Sequence, residues 1–126
     1  MALNKILIVD DSKTSRMMVR RCLEIAGITD AEITEAEHGR DALEQLQAAP
    51  VDLVLTDLNM PEMDGETLIR HVKASPKLTG IPIIVISSAA HEGNVEKLKS
   101  HGAAAVINKP MSPTAISDAM AALNLE

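Results

Sequence analysis

The chain has 126 residues, one domain's worth, and its 46% hydrophobic and 24% charged residues are an ordinary composition for a folded soluble domain. A formal charge of −6, with no run of Lys and Arg and not one Phe, Tyr or Trp, removes the basic field and aromatic platforms that nucleic-acid binders use. A single cysteine, Cys22, excludes an intramolecular disulfide, and no apolar run approaches the roughly 20 residues that span a bilayer.

Lys5 is followed by only four apolar residues before Asp10, too few for a secretory signal, so a cytoplasmic protein is expected. Ile6-Leu7-Ile8-Val9 is continuously apolar, as in a strand buried on both faces. Ser15, Met18, Val19, Cys22, Leu23 and Ala26 then share one helix face, with Gly27 as the stop and Cys22 as a small buried hydrophobe. Ala31 to Ala36 alternates like a half-exposed strand, and Gly39 to Ala49 is helical again through Ala42, Leu43 and Leu46, with Pro50 closing it.

The cycle repeats. Leu53-Val54-Leu55 begins a strand that ends at Asp57, followed by a loop from Pro61 to Gly65 and a helix through Leu68, Ile69 and Val72 that Pro76 ends. Ile81 to Ile86 is the most β-branched stretch and predicts a central strand. Asn94 to His101 predicts a helix through Val95 and Leu98, and Ala103 to Ile107 the last strand. Ser112-Pro113 opens a final helix as N-cap and first-turn proline, with Ile116, Ala119, Met120 and Leu123 inward. Five strands alternating with five helices predict an α/β fold with one parallel sheet, helices on both faces and right-handed crossovers. No linker interrupts residues 1–126, so a single domain without an output module is expected.

Ligands of such sheets bind beyond the carboxyl ends of the strands. The first strand ends in Asp10-Asp11, the third in Asp57, the fourth in Ser87-Ser88 and the fifth in Asn108-Lys109-Pro110. Each piece alone has a simpler reading: Asp10, Asp11 or Ser12 can cap a helix, Asp57 can open a turn, and Ser87 or Lys109 can be solvated. Together, three carboxylates repel one another unless cations sit among them. Oxygen ligands without His or Cys favour a hard cation such as Mg²⁺, which shields a phosphoryl group and orients its oxygens. A carboxylate in that setting is a feasible nucleophile toward phosphorus.

Val9-Asp10-Asp11, the stretch from Thr56 to Gly65, Ile86-Ser87-Ser88-Ala89 and Asn108-Lys109-Pro110 resemble, in order and spacing, the four signature segments of the receiver family of response regulators. The resemblance covers essentially the whole chain and is nearest to the stand-alone chemotaxis-type receivers, which also carry asparagine where Asn59 stands. It implies a flavodoxin-like, doubly wound five-stranded sheet in the order 2-1-3-4-5. It implies phosphoryl acceptance by Asp57 from a histidine of a sensor kinase or phosphotransfer protein. Asp10, Asp11, Asp57 and the backbone carbonyl of Asn59 would serve Mg²⁺, Asp11 directly and Asp10 partly through water. Ser87 and Lys109 would contact the phosphoryl oxygens, with a cis bond before Pro110 aiming the lysine. Output would be protein–protein binding by residues 87–123, with no nucleic acid or membrane partner and no enzymatic action beyond the chemistry at Asp57. One departure stands in the fifth strand, where many receivers have a mobile aromatic residue and this chain has Val106.

Three rivals fit less well. A small Mg²⁺-dependent phosphohydrolase with an aspartate nucleophile would want a second acid where Asn59 stands. A flavin binder would want a Ser/Thr-rich phosphate loop and aromatic rings, and a non-phosphorylated docking module would not need the full set of site residues. His38, His71, His91 and His101 have no metal-ligand spacing, Met18 and Met120 fit core faces, and Lys97 and Lys99 fit a solvated face.

Overall fold

The computed structural model describes residues 3–88, 92–109 and 111–124. Strands and helices alternate as β1 (Lys5–Val9), α1 (Lys13–Ile25), β2 (Glu32–Ala36), α2 (Gly39–Ala48), β3 (Leu53–Asp57), α3 (Gly65–Ala74), β4 (Ile83–Ser87), α4 (Glu92–Ser100), β5 (Ala105–Asn108) and α5 (Pro113–Ala122). All neighbouring strands pair in parallel, in the order β2-β1-β3-β4-β5. The order reverses between β1 and β3, so the crevice that this topology opens lies between their carboxyl ends.

Strand residues alternate between two helix layers, because successive side chains point to opposite faces. Leu7, Val9, Val54, Ile83 and Val85 pack with α2, α3 and Leu98 of α4. Ile6, Ile8, Leu55, Ile84 and Ile86 pack with α1 and α5. Each fully buried Leu or Ile contributes about 1.5–3 kcal/mol relative to exposure, enough in sum to hold repelling charges together at the sheet's edge. The three inner strands carry that core, and β2 is the half-exposed edge the alternation predicts.

Caps fix the helix starts. Ser12 and Ser112 accept from the backbone N–H three residues on, and Pro113 stands in the first turn of α5. His38 caps α2 through Nδ1, which accepts from the Asp41 N–H at 3.1 Å, a structural duty its sequence setting did not reveal. Beyond α1, Gly27 takes φ +93°, a conformation a side chain would strain.

The differences from the sequence reading are local. β4 begins at Ile83 rather than Ile81, because the Ile81 N–H is spent on the Leu78 carbonyl in the preceding turn. β5 begins at Ala105 rather than Ala103, whose N–H closes the end of α4 on Leu98. α4 starts two residues earlier than its apolar spacing indicates. Met18 is not a core residue: it is 50% exposed beside Met17 at 60%, and the buried stripe of α1 is Arg16, Val19, Cys22 and Leu23. Met120 and Cys22 are buried as expected. The expected cis bond before Pro110 involves a residue outside those described, as does His91.

Candidate functional site

Beyond Val9 the chain leaves the sheet at Asp10, whose N–H still donates to the Ala36 carbonyl at 3.1 Å. Capping of α1 falls to Ser12, and the Ser12 N–H donates to Asp10 Oδ1 at 2.9 Å. Asp10 is thereby buried and fixed, while Asp11 is exposed at the mouth. At the end of β3, Asp57 Oδ1 accepts from the Leu58 N–H at 2.8 Å. One carboxylate oxygen from each of Asp10, Asp11 and Asp57 lies within 4.8 Å of the others.

The loop beyond Asp57 turns back tightly. The Gly65 N–H donates to the Leu58 carbonyl at 2.8 Å, and any side chain at Gly65 would collide with the Asp57 carbonyl. The glycine that opens α3 is therefore what lets that helix start against the end of β3. Met63 in this loop in turn receives the Gly39 N–H on its carbonyl at 2.9 Å.

Lys109 arrives from the far side. Its N–H donates to the Ser87 carbonyl at 3.0 Å, locking the chain after β5 to the end of β4. Its ammonium stands 3.2 Å from Asp10 Oδ2 and 3.3 Å from Asp57 Oδ2. Burial opposes that charge, but the carboxylates of Asp57 and Asp10 outweigh it and hold the Lys109 pKa above the ordinary lysine value. Asp57 moves upward too: burial and the charge of Asp10 raise its pKa, and the Leu58 N–H and Lys109 offset only part of this. An acid pocket with one ammonium for three carboxylates remains short of positive charge.

The structure thus brings Asp10, Asp11, Asp57 and Lys109 together. Ser87 is fully buried at the end of β4, one residue past the Asp57↔Ile86 pairing and beside Asn108. Asn59 is exposed in the loop that follows β3, two residues past Asp57. Val106 is partly buried against the α2–α3–α4 core. A 390 Å³ groove beside Lys109 is lined by Met18, Val19, Ile86 and Met111 among others.

Arg16 and Glu35 were not evident from the motifs. Arg16 Nη1 donates to the Asp10 carbonyl at 2.7 Å, and its Nε donates to Glu35 at 2.6 Å. The available signal was spacing: Arg16 is three residues before Val19 and seven before Leu23, a base on the apolar stripe.

Comparison with known proteins agrees with this architecture. Residues 6–121 match the family model described as the response regulator receiver domain. The chain is 37% identical over 115 residues to chemotaxis protein CheY1 of Helicobacter pylori, covering 90% of this chain and 91% of that one. It is 38% identical over 108 residues to sensor histidine kinase TmoS of Ectopseudomonas mendocina, covering 86% of this chain and 11% of that protein. The crystal structure of chemotaxis response regulator CheY4 of Vibrio cholerae superposes with a TM-score of 0.81 at 30% identity, covering 97% of both chains.

The chain belongs to the response-regulator receiver family. It is a chemotaxis-like receiver, and its function is that of a phosphorylation-activated switch in two-component signalling. No helix among the described residues is long and apolar enough to cross a membrane.

Proposed function

We propose that Asp57 is the phosphoryl acceptor of this receiver and that residues 1–126 act as a single domain whose output is binding to another protein. The observation that carries the assignment is the cluster itself: three carboxylate oxygens within 4.8 Å, with the Lys109 ammonium 3.3 Å from Asp57. Asp57 ends β3, one of the two strands that bound the crevice, and the Lys109 ammonium bridges it to Asp10 of the acid pair.

In the proposed transfer, a carboxylate oxygen of Asp57 bonds to phosphorus as the P–N bond to the donor imidazole breaks, and that bond's electron pair stays on the ring nitrogen. The donor is a histidine of a sensor kinase or of a phosphotransfer protein. Lys109, held charged by its two acidic neighbours, meets one phosphoryl oxygen, and the Ser87 hydroxyl donates to another. The all-oxygen donor set and the deficit of positive charge fit Mg²⁺, with Asp11 and Asp57 as direct ligands, Asp10 partly through water and Asn59 through its carbonyl. When bound there, Mg²⁺ shields the incoming phosphoryl charge and orients its oxygens.

The reaction is confined to Asp57, and the protein is not an enzyme toward other substrates. Asn59 supports this, since a second acid at that place would supply a leaving-group proton. The target reads a surface within residues 87–123, and the setting is the cytoplasm, without nucleic acid or membrane partners. Intact-mass measurement after incubation with acetyl phosphate and Mg²⁺ tests the reading. One phosphoryl group per chain is expected; repeated turnover of p-nitrophenyl phosphate without a modified chain would contradict it.

A further inference from the structure

Among the described residues Arg16 is the only buried base, 9% exposed, and a guanidinium is withdrawn from water only at a cost its partners must offset. Those partners lie in two directions. Toward the sheet edge, Nε donates to one oxygen of Glu35 at 2.6 Å, and the other oxygen of Glu35 accepts from Arg20 Nε at 2.9 Å. Toward the acid pocket, Nη1 donates to the Asp10 carbonyl at 2.7 Å. Burial works against the Glu35 charge, but the hydrogen bonds and charges of Arg16 and Arg20 outweigh it and hold its pKa below the ordinary glutamate value.

The Asp10 carbonyl is no longer a sheet group. The β1–β3 ladder ends at Val9↔Thr56, so this oxygen takes its donor from a side chain instead. The planar peptide that carries it also carries the Asp11 N–H, so its orientation sets the direction in which Asp11 leaves the chain. With the Asp10 N–H tied to Ala36, both ends of the Asp10 backbone are held.

We infer that Arg16 is a positioning residue for the Asp10–Asp11 pair, with Glu35 as the counter-charge that orients it. Arg16 touches neither the phosphoryl group nor the metal. It fixes the strand end from which two proposed ligands project, as outer partners of metal ligands do. Lysine cannot replace it, because a point ammonium cannot satisfy a carbonyl and a carboxylate with two fixed N–H directions. The inference rests on the reading of the acid pocket as a Mg²⁺ site.

The test is a calorimetric Mg²⁺ titration of the unphosphorylated protein, which has no Phe, Tyr or Trp to report by fluorescence. Amide exchange at Ser12, whose N–H is held by Asp10 Oδ1, provides a readout without metal. Arg16→Lys and Glu35→Gln should each weaken Mg²⁺ binding about tenfold and speed Ser12 exchange. Arg20→Met is the control: Arg20 reaches Glu35 and the Ile33 carbonyl, so Mg²⁺ affinity should stay within about twofold even if melting falls. Unchanged affinity and Ser12 exchange in a folded Arg16→Lys or Glu35→Gln protein would overturn the inference. So would equal weakening by Arg20→Met, which would indicate a general loosening of α1 against β2. Failure of the unaltered protein to bind Mg²⁺ would instead overturn the reading of the pocket, while Ser12 exchange would still report on Arg16.

Discussion

Lys109 Nζ stands 3.3 Å from Asp57 Oδ2, and it makes this contact while also bridging to Asp10 at 3.2 Å. An internal cation therefore already sits between two of the three carboxylates and competes with any external one. Lys109→Met should tighten Mg²⁺ binding to the unphosphorylated protein by about tenfold, the order expected from removing one unit charge a few ångströms away at high effective dielectric. The same variant should accept phosphoryl groups more slowly, because the transferred oxygens lose their ammonium. Calorimetry and timed intact-mass measurements check the two halves separately.

The raised pKa of Asp57 makes a stability prediction. Folding pushes this carboxyl above its ordinary value through burial and the charge of Asp10, so the folded chain keeps its proton to higher pH than the unfolded chain does. Stability is then lost as pH rises from the ordinary aspartate range through the folded pKa, and the loss is complete above it. Asp57→Asn should accordingly melt a few degrees higher than the unaltered protein at neutral pH without metal. The gap should close below about pH 3, where both folded and unfolded Asp57 are protonated. Thermal melts by circular dichroism across that range measure it, and a gap that grows toward acid would contradict the sign.

Asp11 is the exposed member of the cluster, and α1 is capped by Ser12. Asp11→Ala should leave the fold intact and change stability by no more than about 1 kcal/mol in either direction, since a lost surface charge is offset by relieved repulsion. Mg²⁺ binding should weaken by at least about tenfold, since a direct ligand and a charge are both removed. Titration beside a thermal melt separates these effects.

The strand ends were legible in the sequence because each apolar run stops abruptly at polar residues: Val9 before Asp10, Leu55 before Thr56-Asp57, Ile86 before Ser87. Parallel strands buried on both faces produce such runs, and topology then brings their ends together. The starts of β4 and β5 were less legible, since Ile81 and Ala103 are buried by turns that hydrophobicity does not distinguish from strand. Met18 was misplaced because a helix face estimated from apolar letters gives no weight to Arg16, whose long side chain takes the buried position through hydrogen bonds. The contact of His38 with Asp41 depends on backbone geometry, which spacing alone does not contain.

Output is expected to follow the β4–α4 side. A phosphoryl group that draws in the Ser87 hydroxyl gains a charge-assisted hydrogen bond, roughly twice as strong as a neutral one. Val106, packed against the α2–α3–α4 core, has only χ1 to turn and cannot swing into the space as an aromatic ring does. Chemical-shift mapping of beryllofluoride-treated against untreated protein should place the largest changes outside the acid pocket in residues 87–101. Val106→Ala should preserve that pattern; changes that avoid these residues would contradict the route.

The assignment of Asp57 is tested most directly by locating the phosphoryl group. After acetyl phosphate and Mg²⁺, the unaltered protein should carry one phosphoryl group that hydroxylamine removes, as an acyl phosphate requires. Asp57→Asn, with Asp10, Asp11 and Lys109 intact, should carry none. A hydroxylamine-labile phosphoryl group of equal yield on Asp57→Asn would contradict the account.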